Sequence, residues 1–131
     1  MILALHRRRF LVGAAATTSL GACAVPEMRN NTMYGLIGKF TSTDGDRERL
    51  AEILLNGLRD MPGCLSYIVA NDPADANALW ITEAWDSADS HKASLDIPSV
   101  QAAIKEGRPL IVGMQRIAET TPLGGHGLTA Q

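Results

Sequence analysis

The chain has 131 residues, 46% hydrophobic and 20% charged, which is typical of one globular domain and excludes a disordered polyampholyte. The formal net charge is −2; because residues 1–23 hold three of the 12 basic residues and none of the 14 acidic ones, the remainder carries 9 basic and 14 acidic residues, or −5. A net acidic domain with 5% aromatic residues lacks the basic face and the stacking platforms of nucleic-acid binders. These values argue against a nucleic-acid partner.

Residues 1–31 predict a signal sequence and linker for export. Arg7, Arg8 and Arg9 precede an apolar run that ends in small residues, and the run is shorter than the roughly 20 residues of a membrane span. Paired arginines followed by Phe-Leu resemble the twin-arginine type of signal. We therefore expect an exported protein, whereas translation from Met28 or Met33 would instead place the domain in the cytoplasm.

Two cleavage sites fit the end of this signal. Leu20-Gly21-Ala22-Cys23 resembles a lipoprotein box, in which Cys23 carries a lipid anchor in the mature protein. Ala22-Cys23-Ala24 fits the small-residue rule for ordinary cleavage. The first predicts a membrane-anchored lipoprotein and the second a periplasmic protein.

Residues 32–121 are predicted to form one α+β domain, followed by a flexible tail at 122–131. The first strand covers residues 33–41 and ends in a turn-prone Ser-Thr-Asp-Gly segment. A helix is predicted from Asp46 to Met61, because apolar residues recur there at helical spacing, and Pro62-Gly63 ends it.

The second half of the domain contains two more strands, a broken helical segment and a last strand. Strands are predicted at residues 64–71 and 78–85, and alternation places Leu79, Ile81, Glu83 and Trp85 on one face of the second of these. A short helix runs from Ser87 or Ala88 to about Leu95. After a break at Asp96-Ile97-Pro98, Ser99 is predicted to cap a further helix through Lys105. The last strand covers residues 110–118.

The predicted order β-α-β-β-α-β is the split βαβ arrangement of ferredoxin-like folds, with a four-stranded antiparallel sheet. Two helical segments cover one face of the sheet and leave the other face bare. An exposed apolar face of that size predicts a partner, and the symmetric solution is a homodimer in which two sheets close into a dimeric α+β barrel.

The segment from Glu83 to His91, with Trp85 between them, resembles the Glu-x-Trp and following His pattern of the antibiotic biosynthesis monooxygenase family. Met61-Pro62-Gly63-Cys64 resembles that family's turn into the second strand, and the resemblance covers about residues 33–119. It implies a dimer that oxidises a quinol or another small phenolic or polycyclic aromatic with dioxygen, without metal, flavin or other cofactor.

This chemistry requires a base with a pKa near neutrality in a dry aromatic pocket. Histidine is such a base, and we expect His91 to act as the catalytic base beside Glu83. Trp85, Tyr67, Asn71 and Arg116 are expected to contact the substrate, Arg116 by stabilising an anion.

Structural explanations exist for the same residues. His91 fits a half-exposed residue that bonds a strand carboxylate, Trp85 fits core or pocket wall, and an ion pair to His91 or Arg116 would satisfy a buried Glu83. Cys64 is expected to be a small buried hydrophobe. The alternative functions are a non-catalytic module that binds a small aromatic or is associated with stress, and an isomerase of a small carbonyl compound.

Metal and haem chemistry are not expected. The three histidines, at positions 6, 91 and 126, have no metal-ligand spacing, and residues 100–105 lack the histidine with which haem-degrading proteins of this fold bind iron.

Overall fold

The computed structural model describes residues 32–128. The predicted signal sequence, including Cys23, and residues 129–131 of the predicted tail lie outside the described residues, and residues 121–128 have no helix or strand. The elements, in chain order, are β1 Tyr34–Ser42, α1 Arg47–Gly57, β2 Cys64–Asn71, β3 Ala78–Trp85, α2 Ala88–Ser94, α3 Pro98–Gly107, a 3₁₀ turn Arg108–Leu110 and β4 Ile111–Thr120.

The four strands form one antiparallel sheet in the order β2-β3-β1-β4. Because β3 lies between β1 and β2, the β1-α1-β2 unit is split, as in ferredoxin-like folds. The predicted α+β fold is therefore confirmed. Within residues 32–128, no helix is long and apolar enough to span a membrane.

Helices α1 and α3 have boundaries that differ from the predicted ones. Helix α1 ends at Gly57 instead of Met61, and the backbone N–H of Leu58 bonds the Leu54 carbonyl as the helix closes. Met61 lies in the turn that follows the helix, and its side chain is buried in the core. Its apolar character therefore reflects burial and does not indicate that the helix continues. Pro98 is the first residue of helix α3, and proline favours the first position of a helix. Ser99 therefore lies inside the helix and does not cap it.

The core lies between the helices and one face of the sheet. Leu50 and Leu54 of α1 pack on Leu79 and Ile81 of β3. A second cluster joins Trp85 at the end of β3 to Met61 and Val100. The alternation predicted for β3 is observed, since its helix-side residues include the buried Leu79, Ile81 and Trp85. Trp85 is thus held rigidly at one end of the sheet.

Strand β4 contains a β-bulge beside the centre of β1. Ile37 pairs with Ala118, but the next residue, Gly38, pairs with Arg116, so Ile117 is an extra residue on β4. A bulge of this kind changes which face the following side chains occupy. As a result, Arg116 and Glu119 lie on the same face of the sheet. On that face Arg116 is the direct neighbour of Gly38 of β1, and Glu119 is the direct neighbour of Leu36.

Candidate active site

A cavity of about 640 Å³ lies between the helix-side face of the sheet and helices α1, α2 and α3. Its size falls within the range of about 300 to 1,000 Å³ that is common for small-molecule sites. Most of its walls are apolar, and the polar side chains that reach it include Tyr67, Glu83, His91, Arg108 and Arg116. An apolar cavity with a few polar groups is suited to an aromatic ligand with polar substituents.

Glu83 and His91 meet at one end of this cavity. The His91 Nε2 atom lies 3.7 Å from the Glu83 Oε2 atom, and both side chains are largely shielded, with 20% and 15% exposure. The indole Nε1 of Trp85 donates a hydrogen bond of 2.8 Å to the same Oε2 atom. The shielded carboxylate of Glu83 therefore has two partners, and its direct hydrogen bond comes from Trp85 and not from His91.

Two aromatic rings hold the imidazole of His91 in place. Trp85 meets it edge to face, with ring centroids 5.4 Å apart, and Tyr34 lies on another side at 5.3 Å. Tyr34 was not among the residues predicted from sequence. The signal that identifies it is the strand register, because Tyr34 pairs directly with Trp85 across β1 and β3.

Local structure also fixes the position of His91. Ser87 caps α2 by accepting a hydrogen bond from the Ser90 backbone N–H, and His91 lies one residue further on. Gly63 adopts a positive φ of 82°, and a side chain there would collide with Ser90. The Pro-Gly-Cys turn thus packs directly on the start of α2.

Arg116 lines the cavity but does not neutralise Glu83. It pairs at 3.3 Å with Glu119, whose Oε2 atom also accepts a hydrogen bond of 3.2 Å from the Tyr34 hydroxyl. Arg116 remains 64% exposed, so it lies at the mouth of the cavity and not at its inner end. Burial, and then the charge of Glu119, raise the pKa of the Tyr34 phenol.

Tyr67 lies beside Glu83 on the adjacent strand and reaches the cavity. Burial, followed by the charge of Glu83, raises the pKa of the Tyr67 phenol far above its usual value of 10.0. It is therefore a neutral hydrogen-bond donor at physiological pH and not a base.

Cys64 packs beside Trp85 and is partly buried, less completely than predicted. Burial raises the pKa of its thiol, and the charge of Glu83 acts in the same direction. The thiol therefore stays protonated at physiological pH and is a poor nucleophile.

Asn71 is not brought to the cavity. It is exposed and pairs with Leu79, four residues along β2 from Tyr67 and thus about 13 Å away at 3.3 Å per residue. Asn71 and Tyr67 lie on one face of β2, but the cavity covers only the Tyr67 end of that strand. Of the six predicted site residues, the structure gathers Glu83, Trp85, His91 and Tyr67 at the inner end and Arg116 at the mouth.

No group of three or more His, Cys, Asp or Glu side chains within residues 32–128 is arranged to hold a metal ion. The chemistry open to the side chains present is proton transfer at His91, supported by Glu83, together with hydrogen bonding from Tyr67.

Comparison with known proteins identifies the family. The model of the family described as antibiotic biosynthesis monooxygenase matches residues 33–106. No match was found among proteins with curated descriptions. A crystal structure from Chloroflexus aurantiacus J-10-fl, provisionally assigned as an antibiotic biosynthesis monooxygenase, is 58% identical and has a TM-score of 0.72; the match covers 75% of this chain and 100% of that one.

More distant structures show the same fold. A mutant of SnoaB, a cofactor-independent oxygenase from Streptomyces nogalater, is 13% identical with a TM-score of 0.61, over 72% of this chain and 97% of that one. The protein PA3566 from Pseudomonas aeruginosa is 20% identical with a TM-score of 0.62, over 71% and 96%. Together with the family match, the 58% identity shows that this chain belongs to the antibiotic biosynthesis monooxygenase family.

Proposed function

We propose that the protein is a cofactor-independent monooxygenase that oxidises a quinol or another small phenolic compound with dioxygen. The observation that carries this proposal is the contact of His91 with Glu83, Trp85 and Tyr34 at the inner end of an apolar cavity. A phenol must lose its proton before it readily transfers an electron to dioxygen. A shielded imidazole beside a carboxylate is suited to that step.

In the proposed reaction, His91 Nε2 accepts the phenolic proton, and Glu83 stabilises the resulting imidazolium. The phenolate transfers one electron to dioxygen, and the substrate radical and superoxide combine at the adjacent ring carbon. The ring peroxide takes up a proton, and loss of water across the O–O and C–H bonds leaves a new carbonyl. Overall, a hydroquinone and dioxygen give a hydroxyquinone and water, so one oxygen atom enters the product.

The surrounding residues have supporting roles in this proposal. Tyr67, kept neutral by burial, donates a hydrogen bond to a substrate oxygen. Trp85 fixes the Glu83 carboxylate and forms one wall for the substrate ring. Arg116, at the mouth, attracts an anionic or electron-rich substituent. Asn71 has no role, because it lies outside the cavity.

Oxygen uptake by the purified protein with a panel of hydroquinones tests the proposal, after subtraction of the rate without protein. His91→Ala should reduce uptake about 100-fold or more, because general base catalysis typically contributes that factor. Lys92→Ala, which changes the next, exposed residue of α2, is the matched control and should retain full activity. With ¹⁸O-labelled dioxygen, one labelled atom should enter the product.

Each other outcome has a defined meaning. No uptake by the unchanged protein would contradict the oxygenase proposal, and tight binding of a diol without uptake would support the non-catalytic alternative. Equal uptake by His91→Ala would remove His91 from the role of base. Hydrogen peroxide as the only oxygen product would show an oxidase instead of a monooxygenase.

We also propose that the protein is a homodimer. The sheet face opposite the cavity is uncovered in a single chain and carries Ile37, Lys39, Ile68, Trp80 and Thr82, which we call the open face. Ile68 is 53% exposed and Thr82 is exposed beside it. A second copy of the same face would bury these residues symmetrically.

A further inference from the structure

The floor of the cavity has a gap in its side chains at Gly38. Leu36, Gly38 and Phe40 are the successive β1 residues that face the cavity, and only the middle one lacks a side chain. Gly38 pairs with Ile81 on one side and Arg116 on the other, and both of these residues also line the cavity. A ligand therefore meets bare backbone at the centre of the floor.

The backbone itself does not require glycine at this position. Gly38 is not among the residues with positive φ, and the neighbouring bulge places its extra residue on β4 and not on β1. A Cβ atom at Gly38 would meet only the Gln115 carbonyl oxygen, at 3.4 Å, which is ordinary van der Waals contact. Glycine weakens a strand interior, and there it often marks a place where a ligand approaches the backbone closely.

We infer that Gly38 is the specificity-determining residue of the cavity, because its missing side chain leaves the space for the second ring of a fused-ring aromatic diol. Glu83 pairs with Leu36 of β1, and Leu36 lies two residues from Gly38. Glu83 and Gly38 are therefore about 7 Å apart along the strand direction. A substrate whose hydroxyl lies at Glu83 and His91 thus extends its second ring over Gly38. The position of the hydroxyl rests on the proposed function, whereas the size limit is set by the cavity alone.

The experiment compares the binding of two probes without oxygen, so that no turnover is needed. The probes are 1,4-dihydroxynaphthalene and hydroquinone, and binding is measured by calorimetry and by quenching of tryptophan fluorescence, since Trp85 lines the cavity. The unchanged protein should bind the two-ring diol more tightly. Gly38→Val should weaken that binding about tenfold or more and leave hydroquinone affinity nearly unchanged, because the added methyl groups occupy the second-ring space.

Two further variants complete the design. Gly38→Ala adds one carbon and should give a smaller loss of the same kind, which keeps the test decisive if Gly38→Val does not fold. Ala102→Leu adds three carbons, as Gly38→Val does, on the exposed side of α3 outside the cavity, and should change neither affinity. Circular dichroism on heating confirms that each variant is folded.

Several results would overturn the inference. These are equal affinity of the folded Gly38 variants and the unchanged protein for the two-ring diol, an equal loss for both probes, or no binding of either probe by the unchanged protein. Size selection without oxygen uptake would preserve the inference and defeat the proposed function. Normal oxidation of both diols by Gly38→Val would preserve the proposed function and defeat the inference.

Discussion

Glu83 places one carboxylate oxygen within reach of two side chains that have different roles. Its Oε2 atom accepts the Trp85 hydrogen bond at 2.8 Å and lies 3.7 Å from His91. Trp85 is therefore a positioning residue for the carboxylate as well as a wall. The sequence indicated that Glu83 needs a partner. It did not indicate that Trp85 is that partner, because the alternation of residues along a strand does not fix the side-chain torsion angles of Glu83 and Trp85.

A second polar cluster at the residue scale lies on the open face. Lys39 and Asp72 form an ion pair at 2.7 Å, the Trp80 indole donates to the same carboxylate, and Lys39 also lies over the Trp80 ring. The hydrogen bond from Lys39 and that from the Ala74 backbone hold the pKa of Asp72 below its usual value. The hydrogen bond to Asp72 raises the pKa of Lys39.

This cluster predicts a dependence of stability on acid. Because the pKa of Asp72 is lowered on folding, its contribution is fully present above its ordinary value of about 3.9 and is lost as pH falls through the lower folded-state pKa. Asp72→Asn should therefore reduce the free energy of unfolding at pH 7 and flatten its fall below pH 4. Urea denaturation at a series of pH values measures both effects.

Asp89→Asn is the matched control, since Asp89 is exposed at the start of α2. It should leave the acid dependence almost as in the unchanged protein. Parallel curves for Asp72→Asn and the unchanged protein below pH 4 would contradict the role assigned to the cluster.

At the scale of elements, the contact of α1 with α3 depends on Gly57. A Cβ atom at Gly57 would overlap the Cβ atom of Ala103, and neither group can rotate away. The helices therefore approach more closely there than any larger pair of side chains would allow. This approach brings α3 over the sheet and closes one wall of the cavity.

Gly57→Ala should lower the free energy of unfolding by about 1 to 3 kcal/mol, the usual cost of overpacking a core. The helix propensity of alanine offsets only part of this cost, because Gly57 is the last residue of α1. Urea denaturation measures the change. In an Ala103→Gly background the same substitution should become nearly neutral, whereas an unchanged penalty there would show that the two residues are not coupled.

Sequence periodicity predicted the elements well where pattern and punctuation agree. The bounds of β2 and β3 match, because a Pro-Gly turn precedes β2, an Asp-Pro turn follows it, and alternation continues to Trp85. The ends of α1 and the cap of α3 did not match. Met61 has helical spacing from the apolar residues of α1, but it lies in the next turn and is buried there. Helix α3 already begins at Pro98, so Ser99 cannot cap it.

At the scale of the whole molecule, the open face leads to a prediction about assembly. Thr82→Arg places a charge at the centre of that face and should convert a dimer into a monomer, because burying an unpaired charge in an interface is unfavourable. Analytical ultracentrifugation at micromolar concentration measures the mass. Glu52→Arg, on the exposed side of α1, is the control and should remain dimeric.

A monomeric mass for the unchanged protein at that concentration would contradict the dimer proposal. A dimeric mass for Thr82→Arg would place the interface elsewhere. The assembly was inferred from the order of elements alone, since two helical segments cannot cover both faces of a four-stranded sheet.

The cavity was less predictable than the fold. Motif likeness identified Glu83, Trp85 and His91, and Tyr67 was expected at the site only from its place on the second strand. Tyr34 and Gly38 required the register of β1, which local sequence does not specify. Asn71 shares the strand of Tyr67, but a strand assignment does not show how far along the strand the helices leave a space.

The bulge in β4 makes the mouth of the cavity depend on how many residues that strand contains. In a regular strand, residues three apart face opposite ways, yet Arg116 and Glu119 face the same way and form an ion pair because Ile117 is the extra residue between them. The number of residues at this point of β4 therefore decides which way Arg116 and Glu119 face. Loss of one residue there would turn one half of β4 over relative to the other and separate Arg116 from Glu119.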